Sequence, residues 1–154
     1  MESFRNVDVE VGGIGEGDLP ALAELYAELT GEPAAPEGMR AEFARLAANA
    51  DYILLGARLG EKLAGAVMGL LCRKLSRDCR PALLLENLVV ARSHRRRRVG
   101  AALLAEMERM AKARNCYAIV LVSSTKRTDA HAFYAAMGYA EDKVLGFRKK
   151  LSRP

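Results

Sequence analysis

Residues 82–122 read ALLLENLVVARSHRRRRVGAALLAEMERMAKARNCYAIVLV, and the rest of the chain is organised around them. The run from Ala82 to Ala91 is an almost continuous apolar strand, interrupted by the polar pair Glu86 and Asn87, which calls for an explanation. From Val99, the residues Val99, Leu103, Met107, Met110 and Ala111 recur at helical spacing until Asn115, where the chain turns into a second apolar strand, Tyr117 to Val122. Strand, crossover helix and parallel strand follow one another. Between the first strand and the helix lies a loop in which five of the seven residues from Arg92 to Arg98 are arginine.

Upstream, Val7, Val9 and Val11 alternate with Asp8 and Glu10 as in a half-buried strand, which Gly12, Gly13 and Gly15 end near Ile14. Asp18 is placed to cap a helix whose residues Leu19, Leu22, Tyr26 and Leu29 share a face, with Gly31, Pro33 and Pro36 closing it. Met39, Phe43, Leu46 and Ala50 repeat the spacing in a second helix. Tyr52–Leu59 and Lys62–Cys72 flank Gly60-Glu61 as an antiparallel hairpin, and a polar loop from Arg73 to Arg80 follows. Downstream, a short helix from about Asp129 to Met137 stops at Gly138, and Val144–Leu151 supplies a last strand. The order βααβββαβαβ predicts an α/β sandwich around a mixed sheet.

With 154 residues, 51% hydrophobic and 28% charged, the chain is expected to form one domain over residues 1–154. The opening MESFRNVDVEVGG lacks the apolar run of a signal peptide, and no apolar stretch reaches the roughly 18 residues that span a bilayer. A cytoplasmic protein with no membrane partner is expected. Cys72, Cys79 and Cys116 form no CxxC pair, and the two histidines, His94 and His131, have no HExxH-like spacing, so neither a disulfide framework nor a metal site is suggested. Residues 1–50 carry 3 basic and 10 acidic side chains, net −7, whereas residues 51–154 carry 21 and 9, net +12. That asymmetry suggests an anionic ligand held by the second half.

Nucleic acid is the rival to a compact polyanion, and a solvated basic face is the plainer alternative. Readers of nucleic acid add aromatic stacking residues, yet aromatics are 6% of this chain and none lies near Arg92–Arg98, so no nucleic-acid partner is expected. A loop that leads into a helix N-terminus aims unpaired backbone N–H groups at one point and favours a phosphate there. Gly100 would let the backbone approach a pyrophosphate closely, while Val99 and Leu103 anchor the helix.

On Arg95-Arg96-Arg97-Arg98-Val99-Gly100-Ala101-Ala102 the chain resembles the GCN5-related N-acetyltransferases, whose motif Arg/Gln-x-x-Gly-x-Gly/Ala holds the pyrophosphate of coenzyme A. Arg95 takes the first position and Gly100 the last, while Arg98 stands where the motif usually has its first glycine. The resemblance continues through AHAFYAAMGY, residues 130–139. It implies an α/β/α sandwich around a mixed, mostly antiparallel twisted sheet, and acetyl-CoA as donor. It also implies a coenzyme site formed by Leu88, Val89, Val90, Arg95 to Ala102, Thr128 and Phe133. A small amine is the expected acceptor, and the protein is compatible with a homodimer.

Acetyl transfer from a thioester to an amine needs a neutral nucleophile, a proton acceptor, donors for the thioester oxygen and an acid for the thiolate. If the strand is regular, Glu86 shares a face with Leu84, Leu88 and Val90, and burial there would raise its pKa and suit it to a general base, directly or through water. Many members of the family carry a glutamate at this place; an exposed or salt-bridged glutamate is the plainer alternative. Tyr134 stands at the family's Phe-Tyr position, where the phenol reaches the coenzyme sulfur as general acid; otherwise it is a core aromatic beside Phe133. Backbone amides near Val89 and Val90 would polarise the carbonyl and pair with the pantetheine arm. His131 is on the helix face of Tyr134, and His94 is placed to pack or to contact phosphate. Cys116 has no evident base to activate it, so transfer is expected in a ternary complex.

The segment from Ser123 to His131 is similar to small-molecule members of the family, aminoalkylphosphonate acetyltransferases among them, and Lys126 and Arg127 could clamp an anionic group on the amine. A protein N-acetyltransferase and a non-catalytic acetyl-CoA sensor or nucleic-acid-binding module are the other classes.

Overall fold

The computed structural model describes residues 8–152, so Val7 lies outside the described residues. Two compact units divide it, one ending at Leu121 and the other beginning at Val122. The first unit is built on a five-stranded sheet of β1 (Val9–Gly13), β2 (Tyr52–Leu59), β3 (Lys62–Cys72), β4 (Ala82–Val90) and β5 (Ala118–Leu121), in spatial order 1-2-3-4-5. Neighbours are antiparallel up to β4, and β5 runs parallel to β4, as a helical crossover requires. The helices of this unit are α1 (Leu19–Thr30), α2 (Pro36–Ala47) and α3 (Val99–Ala113).

Glycines in β3 determine how α3 sits. A methyl group on Gly65 would lie 2.8 Å from the carbonyl oxygen of Val89 and 2.8 Å from Val99, and one on Gly69 would lie 2.8 Å from the Met107 sulfur. Their bare backbone lets α3 press Val99, Leu103, Leu104 and Met107 onto the sheet, where all four are fully buried. The neighbouring residue Ala66 points to the opposite face and packs with Leu19, Leu22 and Leu25 of α1. The sheet is therefore covered by helices on both faces. Gly65→Ala is expected to destabilise the fold by about 1–3 kcal/mol, as overpacking does, because one of its obstacles is backbone. A denaturation midpoint equal to that of the parent would contradict this.

Pro20 occupies the first turn of α1, and Gly31, at φ 76°, ends the helix with its N–H bonded to the Ala27 carbonyl at 2.9 Å. Asp18 is at the N-cap but does not cap the helix through its side chain. Its carboxylate instead accepts from Gly15 N–H at 2.8 Å and from Arg58 of β2 at 2.6 Å, a charged partner outweighing a neutral amide. The second helix ends at Ala47, short of Ala50, where the Asn49 side chain accepts the Asp51 N–H at 3.0 Å and turns the chain into β2.

The interruption at Glu86-Asn87 is a β-bulge. Met68 opposes Glu86 and Ala66 opposes Val89, so Asn87 and Leu88 together face the single residue Val67. Asn87 takes a left-handed φ of 53°, which asparagine tolerates better than most residues. The extra residue reverses the alternation. Before it, Leu83 and Leu85 lie on the α3 face with Gly69; after it, Val89 and Ala91 lie on the α1 face with Ala66. Glu86 thus shares its face with Leu84, Val89 and Ala91, and not with Leu88 and Val90 as a regular strand would have it.

The second unit carries α4 (Thr128–Ala136), closed by Gly138 at φ 94° and by a bond from Tyr139 N–H to the Tyr134 carbonyl at 3.0 Å. The strand expected over Val144–Leu151 does not form. Leu145, Phe147 and Leu151 alternate as a strand would, but all three are exposed and no ladder includes the segment. Alternation supplies a face but not a partner, and without a ladder an extended segment has no regular structure to hold it.

Candidate functional site

The β4–β5 ladder ends at Leu85 and Leu121, whereas β4 continues to Val90. Residues 86–90 are therefore hydrogen-bonded to β3 along one edge only, and the other edge presents main-chain groups that an extended ligand can pair with. This open edge begins at the bulge and leads into the arginine loop. Leu88 and Val90 are half-buried, and Val89 is buried against α1.

After Ala91 the chain makes a 3-10 turn over Arg92–His94, held by His94 N–H to the Ala91 carbonyl at 2.9 Å. The Arg92 N–H donates to the Glu28 carboxylate of α1 at 3.0 Å. Arg96 and Arg98 then adopt left-handed φ values of 60° and 64°, with the extended Arg95 preceding them. Left-handed residues set close together turn backbone N–H groups toward one concavity, an arrangement that binds anions. The arginine at the position of the motif's usual glycine is accounted for: Arg98 takes the left-handed conformation itself, at a cost of about 1 kcal/mol, and serves as the N-cap of α3.

The first main-chain bond of α3 runs from Ala102 N–H to the Arg98 carbonyl at 2.9 Å, so the N–H groups of Val99, Gly100 and Ala101 have no acceptor within the helix. Arg92 and Arg95 to Arg98 are all exposed around them. Orphan amides, the positive end of a 15-residue helix and five guanidinium groups suit a pyrophosphate.

Glu86 is exposed, so the buried carboxylate expected from a regular strand is absent. Beside it, the Asn87 side chain lies near the hydroxyl of Tyr26 on α1. Burial raises the Tyr26 pKa and the nearby Asn87 amide opposes the rise, so the phenol is neutral at physiological pH. Neither Tyr26, Glu28 nor the glycines of β3 stood out as functional in the sequence. Asn87 did leave a signal, as a left-handed-tolerant residue inside an apolar strand.

In the second unit Thr128 opens α4 and His131 is exposed. The Phe133 and Tyr134 rings are tilted with centroids 5.5 Å apart, and Tyr139 meets Tyr134 edge-on at 6.1 Å. Burial raises the Tyr134 pKa, and the Arg127 guanidinium partly offsets this. Arg127 N–H bonds the Ser124 carbonyl at 3.0 Å, and Lys126 and Arg127 are both exposed. Cys116 belongs to the first unit; burial raises its pKa against the pull of Arg114 and Arg80, which disfavours the thiolate that covalent catalysis would need.

A mixed sheet whose fourth strand has an open edge and runs into an arginine-rich loop at a helix N-terminus can hold an extended, phosphate-bearing ligand. A family model described as "Acetyltransferase (GNAT) family" matches residues 19–139, and the chain belongs to that family. It is an acyltransferase that uses acetyl-CoA as donor. The chain is 31% identical over 146 residues to glucosamine 6-phosphate N-acetyltransferase 1 of Oryza sativa subsp. japonica, covering 93% of this chain and 85% of that protein. Among solved structures, a putative acetyltransferase from Agrobacterium tumefaciens str. C58 matches at 28% identity and a TM-score of 0.85, covering 92% of this chain and 99% of the other. A glucosamine-6-phosphate N-acetyltransferase from Arabidopsis thaliana shares the fold at 19% identity, with a TM-score of 0.83 over 94% of this chain and 99% of the other. No helix among the described residues is long and apolar enough to cross a membrane.

Proposed function

We propose that this protein acetylates the primary amine of a small molecule that also carries a phosphate or a similar anionic group, by direct attack in a ternary complex. The observation that carries the reading is the open edge of residues 86–90 running into the left-handed arginine loop, since one strand thereby offers a thioester arm and its pyrophosphate adjacent holds. The relative from Oryza sativa, whose name specifies a phosphorylated amino sugar, supports the acceptor class. Lys126 and Arg127, both exposed ahead of α4, are the side chains proposed to hold the acceptor's anionic group. The matched family region runs through both compact units, which supports a single functional domain.

In this reading the main-chain groups of Leu88, Val89 and Val90 pair with the pantetheine arm, and an amide among them polarises the thioester carbonyl. Arg95 to Arg98 and the free amides of Val99, Gly100 and Ala101 hold the phosphates, while the Ala102 amide is already bonded to the Arg98 carbonyl; Thr128 and Phe133 are further proposed coenzyme contacts. Acetyl-CoA supplies an acetyl group activated by a good leaving thiolate. Glu86, exposed at the bulge, accepts through water the proton that the acceptor's ammonium group must lose before its nitrogen bonds to the carbonyl carbon, and the adduct's surplus N–H proton then passes to solvent water. Tyr134 donates its phenolic proton to the sulfur as the carbon–sulfur bond breaks.

The test is release of free coenzyme A with glucosamine 6-phosphate, glucosamine, an aminoalkylphosphonate, a polyamine, an aminoglycoside and peptides. The expected result is the highest kcat/KM for amines bearing phosphate or phosphonate, lost when the anionic group is removed. Preference for a peptide would indicate a protein N-acetyltransferase, and coenzyme binding without turnover would indicate a sensor.

Tyr134→Phe is expected to lower kcat by about 10-fold to 10³-fold, with little change in coenzyme affinity or melting temperature, because the lost bond strengthens only in the transition state. Since burial raises the Tyr134 pKa, the parent keeps this proton through neutral pH and past the ordinary tyrosine range near 10. An alkaline loss of kcat well below pH 10 that disappears in Tyr134→Phe would contradict the assignment.

A further inference from the structure

The first residues beyond β5 reverse the usual order of burial. Val122 is 75% exposed, whereas the hydroxyl oxygen of Ser123 is buried and has no hydrogen-bond partner among the described residues. Ser124 is exposed again, and its polar groups are already in use: the side chain accepts the Lys126 N–H at 3.4 Å and the carbonyl accepts the Arg127 N–H at 3.0 Å. Hydration favours the opposite arrangement, with valine inside and serine outside, and an enclosed hydroxyl without a partner destabilises the fold that holds it. The serine therefore calls for a reason other than packing.

Its place in the chain suggests one. Leu121, the last residue of β5, is paired with Leu85, and β4 continues through residues 86–90 with one edge open. Ser123 is two residues past Leu121, so the chain itself holds it within about 7 Å of the end of β5. An extended arm that pairs with residues 86–90 takes the position that a longer β5 would have had. Its amide groups point alternately toward β4 and away from it, and those that point away need partners of their own. A serine hydroxyl both donates and accepts, so it can pair with an amide N–H or with a carbonyl on that outer edge.

We infer that Ser123 is a further binding residue for acetyl-CoA, its hydroxyl bonding an amide of the extended arm on the edge that faces away from β4. The inference rests on the acetyl-transfer reading of the site, in which that arm lies along residues 86–90. The fold carries the penalty of the enclosed hydroxyl, and the bound arm relieves it. Removing the hydroxyl should therefore move stability and affinity in different directions. A hydroxyl that only held the fold together would, when removed, lower stability and leave the coenzyme arm unaffected.

The experiment titrates the full chain, without acceptor, with acetyl-CoA and with adenosine 3′,5′-bisphosphate, a nucleotide that carries phosphates of the coenzyme but no arm. Thermal unfolding without ligand gives the stability. Ser123→Ala is expected to raise the Kd for acetyl-CoA by about 3-fold to 10-fold, the scale of one neutral hydrogen bond, and to leave the Kd for the bisphosphate within about two-fold. The melting temperature without ligand should stay the same or rise, because alanine removes a buried polar atom and changes the volume little.

A fall in the ligand-free melting temperature would mean that the hydroxyl has a structural partner, and would overturn the inference whatever the affinities. Equal weakening of the two ligands would also overturn it, since a contact to the arm cannot weaken a ligand that lacks the arm. No change in either Kd would overturn it as well. If no amine is turned over by the parent, the acetyl-transfer reading fails separately; the titrations still decide the role of Ser123, supporting it if acetyl-CoA alone is weakened in Ser123→Ala and overturning it if the two ligands behave alike.

Discussion

Glu86→Gln is expected to lower turnover by about 10²-fold or more near neutral pH, the usual scale of general-base catalysis, with fold and coenzyme affinity preserved. Glutamine keeps the length and shape of the side chain but cannot accept the proton that the attacking amine releases. Because Glu86 is exposed at the edge of a bulge, the substitution removes no buried contact and leaves no buried partner unpaired. The melting temperature should therefore stay near that of the parent. Raising the pH increases the fraction of amine already neutral in solution, so the deficit should shrink as the pH approaches the amine's own pKa. A deficit of constant size across that range would mean that Glu86 orients the acceptor and takes no proton.

The double charge reversal Arg95→Glu with Arg97→Glu should raise the dissociation constant for acetyl-CoA by about 10²-fold or more. Each hydrogen bond to a charged group is worth about 1.5–3 kcal/mol, and the new carboxylates add repulsion. Both side chains are exposed, so the loss should be largest at low ionic strength and diminish as salt screens the repulsion. Arg98→Gly is the informative control. It removes one charge but also releases a left-handed conformation that arginine holds at a cost, so stability should be kept or slightly improved while affinity falls much less. If the double reversal binds acetyl-CoA as tightly as the parent, the phosphates lie elsewhere and the loop is only a solvated basic face.

The crossover unit was legible because its parts are local. Apolar runs of strand and helix period, a loop between them and an asparagine at the end of the helix can be read without knowing what they pack against. The observed β4, α3 and β5 differ from that reading by a residue or so at their ends. The hairpin at Gly60-Glu61 and the stop at Gly138 were legible for the same reason, since left-handed glycines act within a few residues of themselves. No strand forms over Val144–Leu151, because alternation there states only that one face is apolar; a strand also needs a hydrogen-bonding neighbour, which no local pattern can promise.

The candidate site divides along the same line. Sequence alone marked the segment proposed as the anion loop and the carboxylate and phenol proposed for the chemistry, because motif spacing and side-chain type are properties of the chain itself. It also marked Glu86-Asn87 as a polar interruption, without saying what that interruption did. Only the tertiary structure decided that Asn87 and Leu88 share one place opposite Val67, that Glu86 is exposed, and that β4 outruns its ladder with β5 by five residues, 86–90. It also decided that Tyr26 and Glu28 reach β4 from a helix some 60 residues earlier in the chain, Glu28 being separated by 64 residues from Arg92. Register and long-range contact arise from the free energy of packing several elements at once, so residues distant in sequence acquire a common role only when the sheet has formed.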